Sequence, residues 1–172
     1  LVGKAYEVPC YQLAGGKFRD EIRCYSDTPT LSDPVEMGKK LQQRMDLGFT
    51  FLKMDVGVSL LRDVPGTLCA PERNLETSNL MHPFTGIRLT EKGIETLCGY
   101  VETIREVIGY EIPLAVDHFG HIAVEDCIRL ARGLEKYNLA WLEDMIPWQY
   151  TDQYIRLSNS CTTPICTGED IY

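Results

Sequence analysis

The sequence predicts an α/β fold, a (β/α)8 barrel of the TIM type, of which this chain supplies the first five strands. Three observations predict it. Short apolar runs alternate with amphipathic stretches, the pattern of a parallel sheet with helices packed outside it. Three of those runs end in an acid: Leu114-Ala115-Val116-Asp117, Leu139-Ala140-Trp141-Leu142-Glu143 and Pro164-Ile165-Cys166-Thr167-Gly168-Glu169, with successive acids 26 residues apart. That period suits one strand–helix unit, each delivering a carboxylate to the same structural place. No G-x-G-x-x-G follows the first strand, which argues against an open dinucleotide-binding sheet. Acids at successive strand ends suit a barrel, whose site is built at the C-terminal ends of its strands. Five strands cannot close that barrel, so the chain is expected to be a piece of something larger.

The elements follow in order. Residues 1–8 read as the end of a helix stopped by Pro9, and Gly15-Gly16 breaks the chain. Residues 22–26 form the first strand. Asp33-Pro34 starts a helix, an N-cap acid followed by proline at the first helical position. Met37, Leu41 and Met45 share one face of it, and Gly48 caps its end. Residues 49–55 are the second strand. The rhythm then breaks, since 64 residues separate Lys53 from Asp117 against 26 for the later repeats. An insertion at about 59–89, rich in proline and glycine, is expected to be a lid or binding loop. Thr90 caps a helix with Ile94, Leu97, Val101, Ile104 and Ile108 on one stripe. Strand 113–117, a helix carrying Val124, Cys127, Ile128 and Ala131, strand 139–143, a short helix capped by Thr151, and strand 164–169 complete the series.

Composition narrows the function. A net charge of −8 without a basic patch argues against nucleic acid, where phosphate neutralisation supplies most of the affinity. No apolar run approaches a membrane span, so no membrane partner is expected. Seven cysteines, an odd count without a C-x-x-C pair, suit a reducing, cytoplasmic setting in which they serve as core residues.

The strand-end acids carry the chemistry. A lone acid in such a place ordinarily caps a helix or pairs with an arginine. Three converging carboxylates repel one another unless a hard cation sits among them. With the flanking motifs, this pattern resembles the enolase superfamily, in its mandelate racemase/muconate lactonizing branch and closest to the acid-sugar dehydratases. The segment from Gly3-Lys4-Ala5 through Pro9-Cys10-Tyr11 to Phe18-Arg19-Asp20 is similar to the handover from that family's α+β capping domain to its barrel. The implied division is 1–16 for the end of the capping domain and 17–172 for the first part of the barrel. Phe51-Leu52-Lys53-Met54-Asp55 stands where the family carries its K-x-K strand. Val116-Asp117, Leu142-Glu143-Asp144 and Thr167-Gly168-Glu169-Asp170 stand where it carries three magnesium ligands.

The resemblance implies that Asp117, Glu143 and Glu169 hold Mg2+ and that Lys53 contacts the substrate carboxylate. It implies a lyase that dehydrates a sugar acid by abstracting the proton alpha to the carboxylate, through an enediolate. A racemase or epimerase of a hydroxy acid on the same fold is the alternative, and a non-catalytic relative that binds a sugar acid or metal is the other. A homo-oligomer is expected of the complete protein. The chain departs from the pattern at Asp55, which replaces the second lysine, often the base. Strand alternation turns Asp55 to the same face as Lys53, as a substrate contact, a weak base or a mate for Lys53. His118 and His121 follow the third strand, and Phe119 replaces the histidine usual two places past the ligand. His82 and Arg88 are candidates to cover the substrate. Trp141 is expected to pack between barrel and helix, and Trp148 and Tyr150 to line or cover the pocket.

Overall fold

A computed structural model describes residues 1–70, 86–117, 122–169 and 171. Five strands form one parallel sheet in the order β1 (Ser26–Thr28), β2 (Leu52–Asp55), β5 (Leu114–Asp117), β6 (Leu142–Glu143), β7 (Ile165–Cys166). The chain moves to the next place in the sheet each time, as a barrel requires. The strands are shorter than their apolar runs suggest, and the first begins four residues later than expected. Helices α3 (Pro34–Asp46), α4 (Glu91–Ile108), α5 (Val124–Leu134) and α6 (Thr151–Ser158) connect them. One face of the sheet, with Leu52, Met54, Leu114, Val116 and Leu142, is fully buried, and these side chains join helix residues Met37, Leu41, Leu97, Val101, Ile104, Leu130 and Leu134 in the core.

Local chemistry sets most helix ends. Asp33 accepts from the N–H groups of Val35 at 2.8 Å and Glu36 at 3.2 Å, and Thr90 accepts from Gly93 N–H at 3.1 Å. Helix α3 ends in paired bonds, Gly48 N–H to Met45 and Phe49 N–H to Arg44, with Gly48 at φ 94° where a left-handed residue is needed. Thr151 is the first residue of α6 rather than its cap; Tyr150 holds that place and no side chain caps the helix. Two short helices, α1 (Val2–Tyr6) and α2 (Cys10–Leu13), occupy residues 1–16, where Gly3 alone is buried. The insertion contributes a 3-10 turn, Val58–Leu60, and the antiparallel pair β3 (Leu68–Cys69) and β4 (Arg88–Leu89). Residues 71–85 of it, His82 included, lie outside the described residues. Cys98 and Cys127 are buried as expected, but Cys10, Cys24 and Cys69 are exposed, because their segments lie outside the sheet-and-helix layers.

Two buried charges brace the loops that feed the sheet. Arg105 donates to the carbonyls of Tyr137 at 3.0 Å, Gly109 at 3.1 Å, Ile112 at 3.3 Å and Asn138 at 2.8 Å, clamping the approaches to β5 and β6. Asp126, fully buried on α5, accepts from Arg88 at 2.7 and 3.2 Å, Leu89 N–H at 2.9 Å and Arg129 at 3.1 Å. Arg88 is therefore half of an anchor that ties the end of the insertion to α5. Burial alone would raise the Asp126 pKa, but the Arg88 and Leu89 hydrogen bonds and the arginine charges outweigh it and hold the carboxyl below its ordinary value. A depressed native pKa adds stability above about pH 4 that is lost as pH falls through the native value. Asp126→Ala is expected to cost about 3–5 kcal/mol in urea unfolding of the intact protein at pH 7, with the deficit shrinking as the medium is acidified.

Candidate metal centre

Parallel register brings the charged groups together. Asp55 is paired in register with Asp117, and Val116 with Leu142, so the next residues along, Asp117 and Glu143, end neighbouring strands. Side chains alternate along each strand, so Lys53, Asp55, Asp117, Trp141 and Glu143 share the face opposite the helix-packed core. One oxygen each from Asp117, Glu143 and Asp144 lies within 4.8 Å of the others. Asp117 and Asp144 are buried and Glu143 is half-buried.

This trio overlaps the one expected from spacing in Asp117 and Glu143. Glu169 follows β7 at the same end of the sheet on an exposed turn, after Gly168 at φ 127°, and is not part of the trio. Asp144 is the residue that sequence reasoning passed over. Its backbone is left-handed, φ 44°, an uncommon conformation that aspartate adopts more readily than most side chains. Its N–H donates to Cys166 at 3.1 Å, and its side chain accepts from the Thr167 hydroxyl at 2.8 Å. Those bonds tie the end of β6 to the segment that leads to Glu169. The Glu143-Asp144 dipeptide was the available signal, since the second acid of the pair also stands at the strand end.

Lys53 sits among the acids. Its ammonium donates to Asp117 Oδ2 and lies 3.3 Å from Glu143 Oε2. These carboxylates are its mates, where the sequence offered Asp55. Burial alone would lower the Lys53 pKa, but the Asp117 hydrogen bond and the charges of Asp117 and Glu143 more than reverse this and raise it. The side chain of Tyr25 places its ring 5.3 Å from the same ammonium. Trp141, expected between barrel and helix, instead donates its indole N–H to Glu143 Oε2 at 2.8 Å and stacks on Phe51 at 4.9 Å. Two-residue alternation from Glu143 was the signal that places it on this face. Asp55 is half-buried, and its carbonyl accepts from Thr30 at 3.3 Å. His118 and His121 lie outside the described residues. Trp148 is exposed and Tyr150 half-buried beyond β6.

The donor set fits a hard divalent cation. All three groups offer carboxylate oxygens, the ligand type of magnesium, calcium and manganese. Octahedral magnesium, with bonds of about 2.0–2.1 Å, holds its ligand oxygens within about 4.2 Å of one another, so small side-chain adjustments would bring the three oxygens to a spacing that one ion spans, with its other positions left for water or substrate.

A five-stranded run of parallel β/α units with acids at its C-terminal end is the beginning of a β/α barrel, and residues 36–172 match the family described as enolase C-terminal domain-like. The chain belongs to that family. It is 32% identical over its whole length to a D-xylonate dehydratase of Haloferax volcanii, covering 38% of that protein. It is 27% identical to a D-mannonate dehydratase of Caulobacter vibrioides, with 98% of this chain and 41% of that protein aligned. A mandelate racemase/muconate lactonizing enzyme-like protein from Rubrobacter xylanophilus superposes with a TM-score of 0.75 at 27% identity, covering all of this chain and 43% of that one. The chain thus spans about two fifths of the length of the curated relatives it matches.

Proposed function

We propose that the protein is a magnesium-dependent lyase that dehydrates a sugar acid. The observation that carries this reading is the buried Lys53 ammonium set between Asp117 and Glu143 at the C-terminal end of the sheet. The relatives named as sugar-acid dehydratases supply the reaction class. Asp117 and Glu143 would hold the ion, with a third carboxylate from Asp144 or Glu169. When bound, the ion supplies Lewis-acid stabilisation of the charge that develops on the substrate carboxylate during removal of the alpha proton.

The remaining work falls to side chains. Lys53 is a point cation among the carboxylates and would pair with the substrate carboxylate, fixing which carbon faces the base. Asp55, on the same strand face, would accept hydrogen bonds from substrate hydroxyls, the groups that distinguish a sugar acid from a simple hydroxy acid. Loss of the alpha proton and the beta hydroxide leaves an enol that becomes a 2-keto-3-deoxy acid. Among the described residues no helix is long and apolar enough to cross a membrane. The proposed setting is cytoplasmic, and the proposed assembly of the complete protein is a homo-oligomer.

Incubating the intact protein with Mg2+ and a panel of five- and six-carbon aldonic acids in deuterated water tests this. A 2-keto-3-deoxy acid, detected as its semicarbazone, is the expected product. An isomer of the starting acid carrying deuterium at the alpha carbon would instead establish epimerisation on the same site.

A further inference from the structure

We propose that Trp141 is a positioning residue, an indole that holds Glu143 in the rotamer that presents it to a divalent cation. The inference rests on the metal-binding reading above. Glu143 Oε2 accepts the indole N–H at 2.8 Å and the Lys53 ammonium lies 3.3 Å from the same atom. Both donors take one oxygen, which leaves Oε1 to meet an ion. The indole is itself held on two sides. Phe51 stacks on it with ring centroids 4.9 Å apart and planes at 29°, and Tyr25 meets it edge-on at 6.1 Å and 77°.

The contacts close into a circuit. Lys53 touches Glu143, Glu143 accepts from Trp141, Trp141 packs on Tyr25, and the Tyr25 ring stands 5.3 Å from the Lys53 ammonium. On the far side Arg23 lies 5.3 Å over Phe51 and donates to the Thr50 hydroxyl at 2.9 Å. An aromatic floor of Tyr25, Phe51 and Trp141 thus lies below the charged layer, on the same face of the sheet. A glutamate has three rotatable bonds, and a ligand free to explore them loses that freedom when it binds an ion. A stacked indole, rigid and with a single N–H aimed at one oxygen, removes it beforehand. The donor also fixes which oxygen is offered, the role that outer partners play for ligating groups generally.

Trp141→Phe keeps a stacking ring and deletes the N–H. Mn2+ binding to the intact protein, followed by the electron paramagnetic resonance of free Mn2+, is expected to weaken by about 10–100-fold in this variant while circular dichroism shows the wild-type fold. Replacing Trp148, and any tryptophan the intact protein carries outside these 172 residues, by Phe leaves Trp141 as the sole indole emitter. Its fluorescence is expected to change saturably with Mg2+, a readout that holds even if Trp141→Phe does not fold. Equal Mn2+ affinity in wild type and Trp141→Phe, or an emission flat to Mg2+ in a protein that binds Mn2+, overturns the inference and leaves the metal reading standing. A wild-type protein that does not bind Mn2+ overturns both.

Discussion

Asp117→Asn is expected to reduce sugar-acid turnover by about a thousandfold or more, about 4 kcal/mol of barrier. The substitution keeps the shape of the side chain and removes one charge from the centre of the site. Asp117 is 1% exposed at the end of the middle strand, bonded to Lys53 and grouped with Glu143 and Asp144. Outer-shell changes at metal sites cost about 10–100-fold, and loss of a ligand exceeds that. A second measurement separates ligation from a structural ion pair. A ligand that binds only the native state stabilises it by about 2.7 kcal/mol at a hundredfold excess over its dissociation constant. The wild-type melting temperature should therefore rise with Mg2+ or Mn2+, and that rise should vanish in Asp117→Asn. If Asp117 served Lys53 alone, the variant would melt early without metal and still gain from its addition.

The parts of the fold that could be read from residues alone are those set by short-range chemistry. Asp33 and Thr90 are caps because a side-chain oxygen can reach an N–H two or three residues on, whatever the rest of the chain does. The equal spacing of Asp117, Glu143 and Glu169 reports the length of a β/α unit, and the parallel sheet with its enolase-family match bears that out. Spacing does not report where an oxygen points. Asp144 enters the cluster through a left-handed backbone that breaks strand alternation, so no periodicity forecasts it. Trp141 was misplaced for a different reason. Position relative to Glu143 decides the face, and the indole N–H has a carboxylate to satisfy there. The partner of Lys53 is a long-range matter as well. Asp55 is near in sequence, yet the two carboxylates that reach the ammonium lie 64 and 90 residues away and arrive through register.

Lys53→Met carries the second large effect, and its sign depends on whether a cation is present. Lys53 is 6% exposed and is the ammonium that offsets Asp117 and Glu143. Removing it without metal takes away the ammonium that Asp117 and Glu143 share, so the intact protein is expected to lose about 3–5 kcal/mol in denaturant unfolding. A divalent ion restores the balance with two charges in place of one. The stabilisation from added Mg2+ should therefore be larger in Lys53→Met than in wild type, the reverse of Asp117→Asn, where it disappears. Turnover should still fall by about 10²–10³-fold at saturating Mg2+, because the substrate carboxylate has lost its cationic partner. These outcomes bind the two roles of Lys53 together. On the proposed reading, an ammonium that stands in for the metal's charge before the ion arrives would be released toward the substrate afterwards. A variant that melts as wild type without metal and gains no extra stability from it would show that Lys53 takes no part in the charge balance of the carboxylates.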